Sequence, residues 1–506
     1  MPAATITVLP DEPIGVIRPE LHGQFAEHLG ACVYGGLWVG EESPIANYQG
    51  YRRDVLAALQ RLRVPVLRWP GGCFADDYHW EDGVGPRDAR PRRVNGWWGH
   101  DVETNAFGTH EFLNLCKLLG AQPYLAGNVG SGTPRELRHW IEYCNWPGGT
   151  TLSDRRKANG QAEPWNVKYW GVGNENWGCG GNMDPEDYAA EFKRFAAFLF
   201  TFMRAPTHMP LFLVACGPNR NDPEWTRRFF AKLQSNFGFS DYRVHGFGAH
   251  YYAGTAGPSA TEYDVDQWYQ LLHQALGVEQ LILDQRAAMD QFDVGRKVGL
   301  MVDEWGTWHA HTPGTPVNHL WQQNTIRDAL VAALTLDAFH RHADRLVMCN
   351  VAQVANVLQA MVLTRAERMV LTPTYHVFDA YKGHQRGTAV RCEFAAAKVR
   401  FAAGGERREL PGLTGSASVA AGNVLTLSVV NPHATFATEA TIDLRGRRPK
   451  GPVRAVTIAA DDLHAHNTFD ALDAVRPAIA SVEADGHEWT RAFLPASVTV
   501  LTVPLG

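Results

Sequence analysis

Two carboxylates stand directly after apolar runs. Val167 to Val172 leads into Gly173-Asn174-Glu175-Asn176-Trp177, and Val298 to Val302 leads into Asp303-Glu304-Trp305. A facing pair of carboxyl groups can cleave a glycosidic bond when one is protonated and the other ionised. Mutual repulsion plus unequal burial is the physical way to split their pKa values. Held about 5–5.5 Å apart they support a covalent glycosyl-enzyme and retention; at about 6.5–9.5 Å they leave room for the water of an inverting reaction. A single glutamate at a strand end is more often a helix partner or a surface carboxylate. Trp177, Trp305 and Trp308 flank these two. Flat aromatic faces are what the C–H surface of a sugar stacks on, although tryptophan is equally a core residue.

Such residues need a frame. From about residue 18 to 380 the chain repeats a helix-period stretch, a short β-rich apolar run and a polar or Gly-rich loop, the pattern of βα units around a parallel sheet. Candidate strands lie at 21–26, 64–69, 122–126, 167–172, 211–216, 244–250, 298–302 and 346–351, with helices at 52–62, 109–119, 134–144, 185–203 and 325–342. Eight strands predict a closed (β/α)8 TIM barrel, with a doubly wound open sheet as the alternative. In such a barrel the site lies at the carboxyl ends of the strands. Besides the two glutamates, this places Glu27 and His28, Arg68 and Trp69, Asn174, His250 to Tyr252, Asp303, Asn350 and Gln353 at the mouth. Glutamates on strands four and seven lie across it from each other, and Arg68 and His250 could hold the nucleophile ionised.

Past residue 385 the texture changes to short alternating strands such as Leu425 to Val430 and Ser497 to Val503, separated by Gly, Pro and Asn turns. This reads as a β-sandwich. The segment Ala4 to Leu9 would be an orphan edge unless it joined that sheet. The expected division is 18–384 for the catalytic barrel and 1–17 plus 385–506 for a jelly-roll-like β-sandwich.

The 506 residues are 45% hydrophobic and 20% charged, with a net charge of -6. That is an ordinary globular composition, and the lack of a long basic run argues against a nucleic-acid partner. The opening residues show no basic-then-apolar export leader. Apolar stretches such as Phe195 to Phe202 fall short of the roughly 20 residues a membrane span needs. The eight cysteines form no Cys-x-x-Cys, so mostly free thiols in a reducing, cytoplasmic setting are expected.

Competing motifs fail. Gly171-Val172-Gly173-Asn174-Glu175-Asn176 begins like a dinucleotide loop but has Asn176 where glycine is required. His110-Glu111-Phe112-Leu113-Asn114 lacks the second histidine of a zincin helix, and His309-Ala310-His311 has no further ligand nearby, so a solvated pair is expected there rather than a metal set. No P-loop lysine signature and no Gly-x-Ser-x-Gly elbow occurs. No metal and no cofactor are expected.

Several blocks together resemble the α-L-arabinofuranosidases of glycoside hydrolase family 51 over essentially the whole chain. They are His22-Gly23-Gln24-Phe25-Ala26-Glu27-His28, Leu67-Arg68-Trp69-Pro70-Gly71-Gly72-Cys73-Phe74, Trp80-Glu81-Asp82-Gly83-Val84-Gly85-Pro86, Gly173 to Trp177, and Asp303 to Trp308. The resemblance implies a retaining, exo-acting hydrolase that removes terminal arabinofuranosyl groups from arabinan or arabinoxylan oligosaccharides. Glu175 would be its acid/base and Glu304 its nucleophile. It also implies that Glu27, Asn174 and Gln353 bind furanose hydroxyls, that Arg68, His250 and Tyr252 frame the nucleophile, that Trp308 walls the pocket, and that the protein is a homo-oligomer, a hexamer as in family members. Cys73 falls at a sugar-contact position, a job a thiol does poorly. Cys179, four residues past Glu175, lies on the same face; the two are expected either to approach as a disulfide or to remain unlinked, and a Cα separation beyond about 7 Å would exclude the bond. The same fold and carboxylate pair acting on a β-D-galactofuranoside, a β-xyloside or a β-glucan is the nearest alternative. A non-catalytic carbohydrate-binding protein is a more distant one, since it predicts loss of one carboxylate.

Overall fold

The computed structural model describes residues 4–204, 207–234, 244–484 and 486–506. Residues 1–3 of the expected first segment lie outside the described residues. Eight parallel strands close a barrel in chain order: Gly23–Phe25, Val66–Trp69, Gln122–Gly127, Tyr169–Val172, Phe212–Cys216, Gly246–Gly254, Gly299–Trp308 and Leu346–Ala352. Closure excludes the open-sheet alternative. Strands covered on both faces read as unbroken apolar runs rather than as alternation, which is why the sequence marks them. Inside the barrel Val66, Tyr124, Tyr169, Val214, Met301 and Met348 form a cluster of their own, the packed interior such a barrel requires.

The sixth and seventh strands run beyond the expected ends, to Gly254 and Trp308. Their register pairs His250 with Glu304 and Tyr252 with Gly306. The extra length carries the chemistry-bearing side chains on regular backbone, which fixes them better than a loop would. Helices Thr109–Leu119 and Pro185–Met203 match their expected bounds, and Pro134–Asn145 extends one residue further, its start capped by the Thr133 hydroxyl accepting from the Glu136 amide.

A second, nine-stranded sheet has the order Ala478–Val482, Val453–Ile458, Ser497–Pro504, Val424–Asn431, Thr414–Ala420, Thr388–Ala395, Ala4–Val16, Thr438–Leu444, Glu488–Phe493. All neighbours are antiparallel except Ala4–Val16 beside Thr438–Leu444. Val453 near one end and Trp489 at the other share one buried cluster with Ile6, Leu427, Ile442 and Leu501, so the sheet folds over on itself. Its other face, with Val430, Ile458, Val498 and Val500, joins the barrel's large core.

Helix Ile326–Arg341 lies between the two parts and is buried at every position through His340. Its polar groups are answered locally. Asp337 accepts from the hydroxyls of Ser416, Ser428 and Tyr381 at 2.7, 2.5 and 3.2 Å, while His340 bonds His22 and Ser416 at 2.9 Å each. Burial raises the Asp337 pKa to about 6 despite those donors. Among the described residues no helix is long and apolar enough to cross a membrane.

Candidate active site

Glu175 and Glu304 leave the fourth and seventh strands and meet at the mouth. A carboxylate oxygen of each and a ring nitrogen of His250 all lie within 4.8 Å of one another. Arg68, on the second strand and 1% exposed, donates from Nη1 to Glu304 Oε1 at 2.6 Å and to the Asp303 carbonyl at 3.1 Å, and from Nη2 to Asn174 Oδ1. The Tyr252 hydroxyl donates to the other oxygen of Glu304 at 2.8 Å. Glu304 is thus held by a guanidinium on one oxygen and a phenol on the other. Charge-assisted bonds of this kind are short and directional, so they fix the carboxylate's orientation.

His250 stands between the glutamates. Its Nδ1 is 2.8 Å from Glu175 Oε1 and 3.5 Å from Glu304 Oε2, and its Nε2 is 3.3 Å from Asp303 Oδ1. Burial lowers its pKa, but the surrounding carboxylates outweigh that and push it up to about 10. Burial and the charge of Glu304 raise the Glu175 pKa, with the His250 hydrogen bond opposing them; the net shift is upward. A raised pKa at Glu175 is the direction a general acid needs.

Glu27 lies behind the pair. It accepts from the Phe74 amide (3.1 Å), Trp98 Nε1 (2.9 Å) and Gln353 Nε2 (3.0 Å), and burial followed by the charge of Glu304 raises its pKa to about 7. The glycines of Pro70-Gly71-Gly72 are required by this carboxylate, since a Cβ on Gly72 would sit 2.6 Å from Glu27 Oε1. Asn174 Nδ2 and Gln353 Oε1 are buried without a hydrogen-bond partner among the described residues. Unpaired buried polar atoms are uncommon, and here both belong to residues expected to meet sugar hydroxyls.

Cys73 and Cys179 form a disulfide with Cα atoms 5.4 Å apart, and their sulfurs lie 4.0 and 3.7 Å from Glu175 Oε2. Cys73 thus offers the pocket a disulfide sulfur rather than a thiol. The other six cysteines are free.

One open choice is decided and two expectations are corrected. Trp305 is 1% exposed and packs on Phe339 and Phe378, so it is a core residue, unlike Trp308, which is 39% exposed and stands edge-on to Tyr252. His28 faces away from the pocket, bonding Glu103 and accepting from Trp69. His309 is not solvated: it is buried and bonds Asp328 at 2.8 Å, whereas His311 is exposed.

Two functional residues escaped the sequence reading. Asp76 accepts from the amides of Val129, Gly130 and Asn174, tying together the loops after the second, third and fourth strands. Trp98 reaches Glu27 from a short hairpin, Arg93–Val94 paired with Val102–Glu103. Neither follows an apolar run. The only available signal for Asp76 was its place just after Gly71-Gly72-Cys73. Cavity size does not find the site either: a cavity of about 700 Å³ near Arg87 and Arg90 is as large, but those arginines pair with Glu111 and Glu41, and His110 with Tyr143.

Two family models match the chain. One described as "Alpha-L-arabinofuranosidase 1 domain" matches residues 58–268, and one described as "Alpha-L-arabinofuranosidase C-terminal domain" matches residues 303–497. The chain is 46% identical over 481 residues to an "Intracellular exo-alpha-L-arabinofuranosidase" of Bacteroides ovatus, covering 94% of this chain and 90% of that protein. It superposes on a crystal structure of the GH51 arabinofuranosidase from Xanthomonas axonopodis pv. citri with a TM-score of 0.93 at 41% identity, covering 99% of each chain. It also superposes on an α-L-arabinofuranosidase from Thermotoga maritima in complex with arabinose, with a TM-score of 0.83 at 30% identity, covering 99% of this chain and 100% of that one. The chain belongs to the α-L-arabinofuranosidases of glycoside hydrolase family 51.

Proposed function

We propose that this protein hydrolyses terminal α-L-arabinofuranosidic bonds of arabinan or arabinoxylan oligosaccharides with retention of configuration. The observation that carries the reading is the approach of Glu175 and Glu304 oxygens to within 4.8 Å around His250, which suits a glycosyl-enzyme better than a pair separated by a water. Glu304, held by Arg68 and Tyr252, attacks the anomeric carbon. Glu175 protonates the departing oxygen, then takes a proton from the water that releases the sugar. Glu27, Asn174 and Gln353 fix the furanose hydroxyls, the Cys73–Cys179 disulfide and Trp308 bound the ring, and correct placement rather than further chemistry is their contribution. The two-carboxylate route needs no cofactor.

Exo action and an intracellular location rest on likeness to the Bacteroides ovatus protein of that name. A homo-oligomer, a hexamer by family resemblance, is supported by exposed Phe436 (64%) and Leu494 (50%), whose carbonyls both accept from Asn431. Light scattering after gel filtration would read a monomer if that is wrong.

The test of function is a panel of aryl glycosides led by the α-L-arabinofuranoside, with the released anomer followed by proton NMR. Rapid release of the retained anomer is expected. Inactivity there with turnover of a β-D-galactofuranoside, β-xyloside or β-glucan would overturn the substrate assignment, and initial release of the opposite anomer would overturn the mechanism.

A further inference from the structure

A cavity of about 690 Å³ borders Glu175 and leaves Glu304 out of its lining. Its walls come from the fourth to seventh strands and the helix after the sixth, with Trp177, Arg220, Tyr251, Gln274 and Trp308 among them. The groups around the reacting sugar, Glu27, Arg68, Asn174 and Gln353, do not face it. If Glu175 is the acid of the proposed function, the group it protonates departs on its own side, so this space lies where the leaving group must be.

We propose that Arg220 and Gln274 set the affinity of this cavity for the uncharged, hydroxyl-bearing sugar ring of the leaving group. The proposal rests on the role given to Glu175. Arg220 is exposed, and its guanidinium makes no ion pair or hydrogen bond with any described residue. Its backbone is nonetheless held in place, its carbonyl accepting from the Asp222 amide at 3.2 Å. Its φ is +58°, a left-handed conformation uncommon for a residue with a side chain. Next to it Asn221 donates to Asp284 at 2.7 Å and accepts from Gln285 at 2.9 Å, and Asp222 caps helix Pro223–Gln234 by accepting from the amides of Glu224 and Trp225.

Gln274 sits on helix Val265–Asp290, where its backbone carbonyl accepts from the Tyr251 hydroxyl. Its side-chain amide makes no hydrogen bond with any described residue, and the oxygen is enclosed without a partner. Turning that amide into the cavity therefore breaks no bond, and a ligand hydroxyl would satisfy it. The helix approaches the Tyr251 side chain closely because of Gly277: a Cβ there would lie 2.2 Å from the Tyr251 oxygen. An indole face at Trp177, a guanidinium fork and a free amide are the complement of a sugar ring, with its C–H faces and its hydroxyls. Apart from Glu175 no carboxylate lines the space, so nothing there favours a cationic leaving group.

The experiment compares wild type with R220A and Q274A on two substrates: 4-nitrophenyl α-L-arabinofuranoside, and a xylo-oligosaccharide bearing one arabinofuranosyl branch. The expected result is a loss of about tenfold in kcat/KM on the oligosaccharide for each variant, with the aryl substrate within about twofold of wild type. Added xylobiose should also intercept the glycosyl-enzyme less efficiently in the variants, lowering the ratio of transfer product to free arabinose. Equal losses on both substrates, or no loss on either, would overturn the subsite. A wild-type protein inactive on both arabinofuranosides would instead overturn the proposed function.

Discussion

The mouth of the barrel and the joint between barrel and β-domain are both buried and rich in polar groups, yet they handle charge in opposite ways. At the mouth Glu304 and Asp303 face Arg68 and a His250 whose pKa is pushed up to about 10. At the joint Asp337 is surrounded by hydroxyls, and the nearby His22, His340 and His384 are driven by burial toward the neutral form. Dense ion pairing is costly to bury. It is concentrated where charge must develop during a reaction, whereas Asp337 is met by neutral donors and the charged pair at the joint, Arg341 with Glu279, stands at the half-exposed end of the helix.

The strongest way to break the contrast is to remove Glu304, the proposed nucleophile. Glu304→Ala should lower kcat on the aryl arabinofuranoside by on the order of 10⁴-fold or more, with an unchanged circular dichroism spectrum; residual activity above about one per cent of wild type would discount its role. Glu175→Ala should cost on the order of 10³-fold with poor leaving groups but only about tenfold with activated aryl groups, which need little protonation. The raised pKa of Glu175 keeps its proton beyond the usual carboxylate range, so wild-type kcat/KM should fall as pH rises through that pKa. The variant's profile should lose this alkaline limb, and an unaltered limb would assign the titration elsewhere.

A smaller effect is expected from Gly72→Ala, whose new Cβ would meet Glu27 at 2.6 Å. Displacing that carboxylate should raise KM by roughly tenfold while leaving the melting temperature nearly unchanged. A large fall in melting temperature instead would mean that Gly72 serves the fold. Asp337→Asn sharpens the other side of the comparison. Because the folded pKa of Asp337 is raised to about 6 from 3.8, its stabilising effect is full below the unfolded value and is lost as pH rises through the folded one. Urea unfolding of wild type should show a loss of roughly 2–3 kcal/mol from this group between pH 4 and 7. The asparagine variant should lack that part of the pH dependence while keeping near-normal kcat; matching pH profiles for the two proteins would dismiss the assignment.

The barrel and its two glutamates were legible because strands buried on both faces leave unbroken apolar runs, and the residues just beyond them point into the mouth. Val167 to Val172 followed by Asn174-Glu175 is such a case. Asp76 was not legible because it works through the backbone amides of Val129, Gly130 and Asn174, which carry no sequence signature. Trp98 was hidden by long-range geometry, in a hairpin about seventy residues from the Glu27 it contacts. Trp305 and Trp308 show the limit of residue type: three residues apart on one strand and so on opposite faces, one turned to the core and one to the pocket, and only register tells them apart. The strand-end reading placed Arg68 and His250 beside the nucleophile, and the resemblance to a family added Tyr252.

The place of Ala4–Val16, between Thr388–Ala395 and Thr438–Leu444, also has a consequence for biosynthesis. Ala4–Val16 is translated on the order of tens of seconds before the strands it pairs with, at ordinary elongation rates. Throughout synthesis of the barrel, an extended segment with Ile6 and Val8 destined for a dry core stays unpaired, a stretch on which chaperones could act. Synthesis of Thr388–Ala395 and Thr438–Leu444, rather than completion of the barrel, is what lets that early segment find its place.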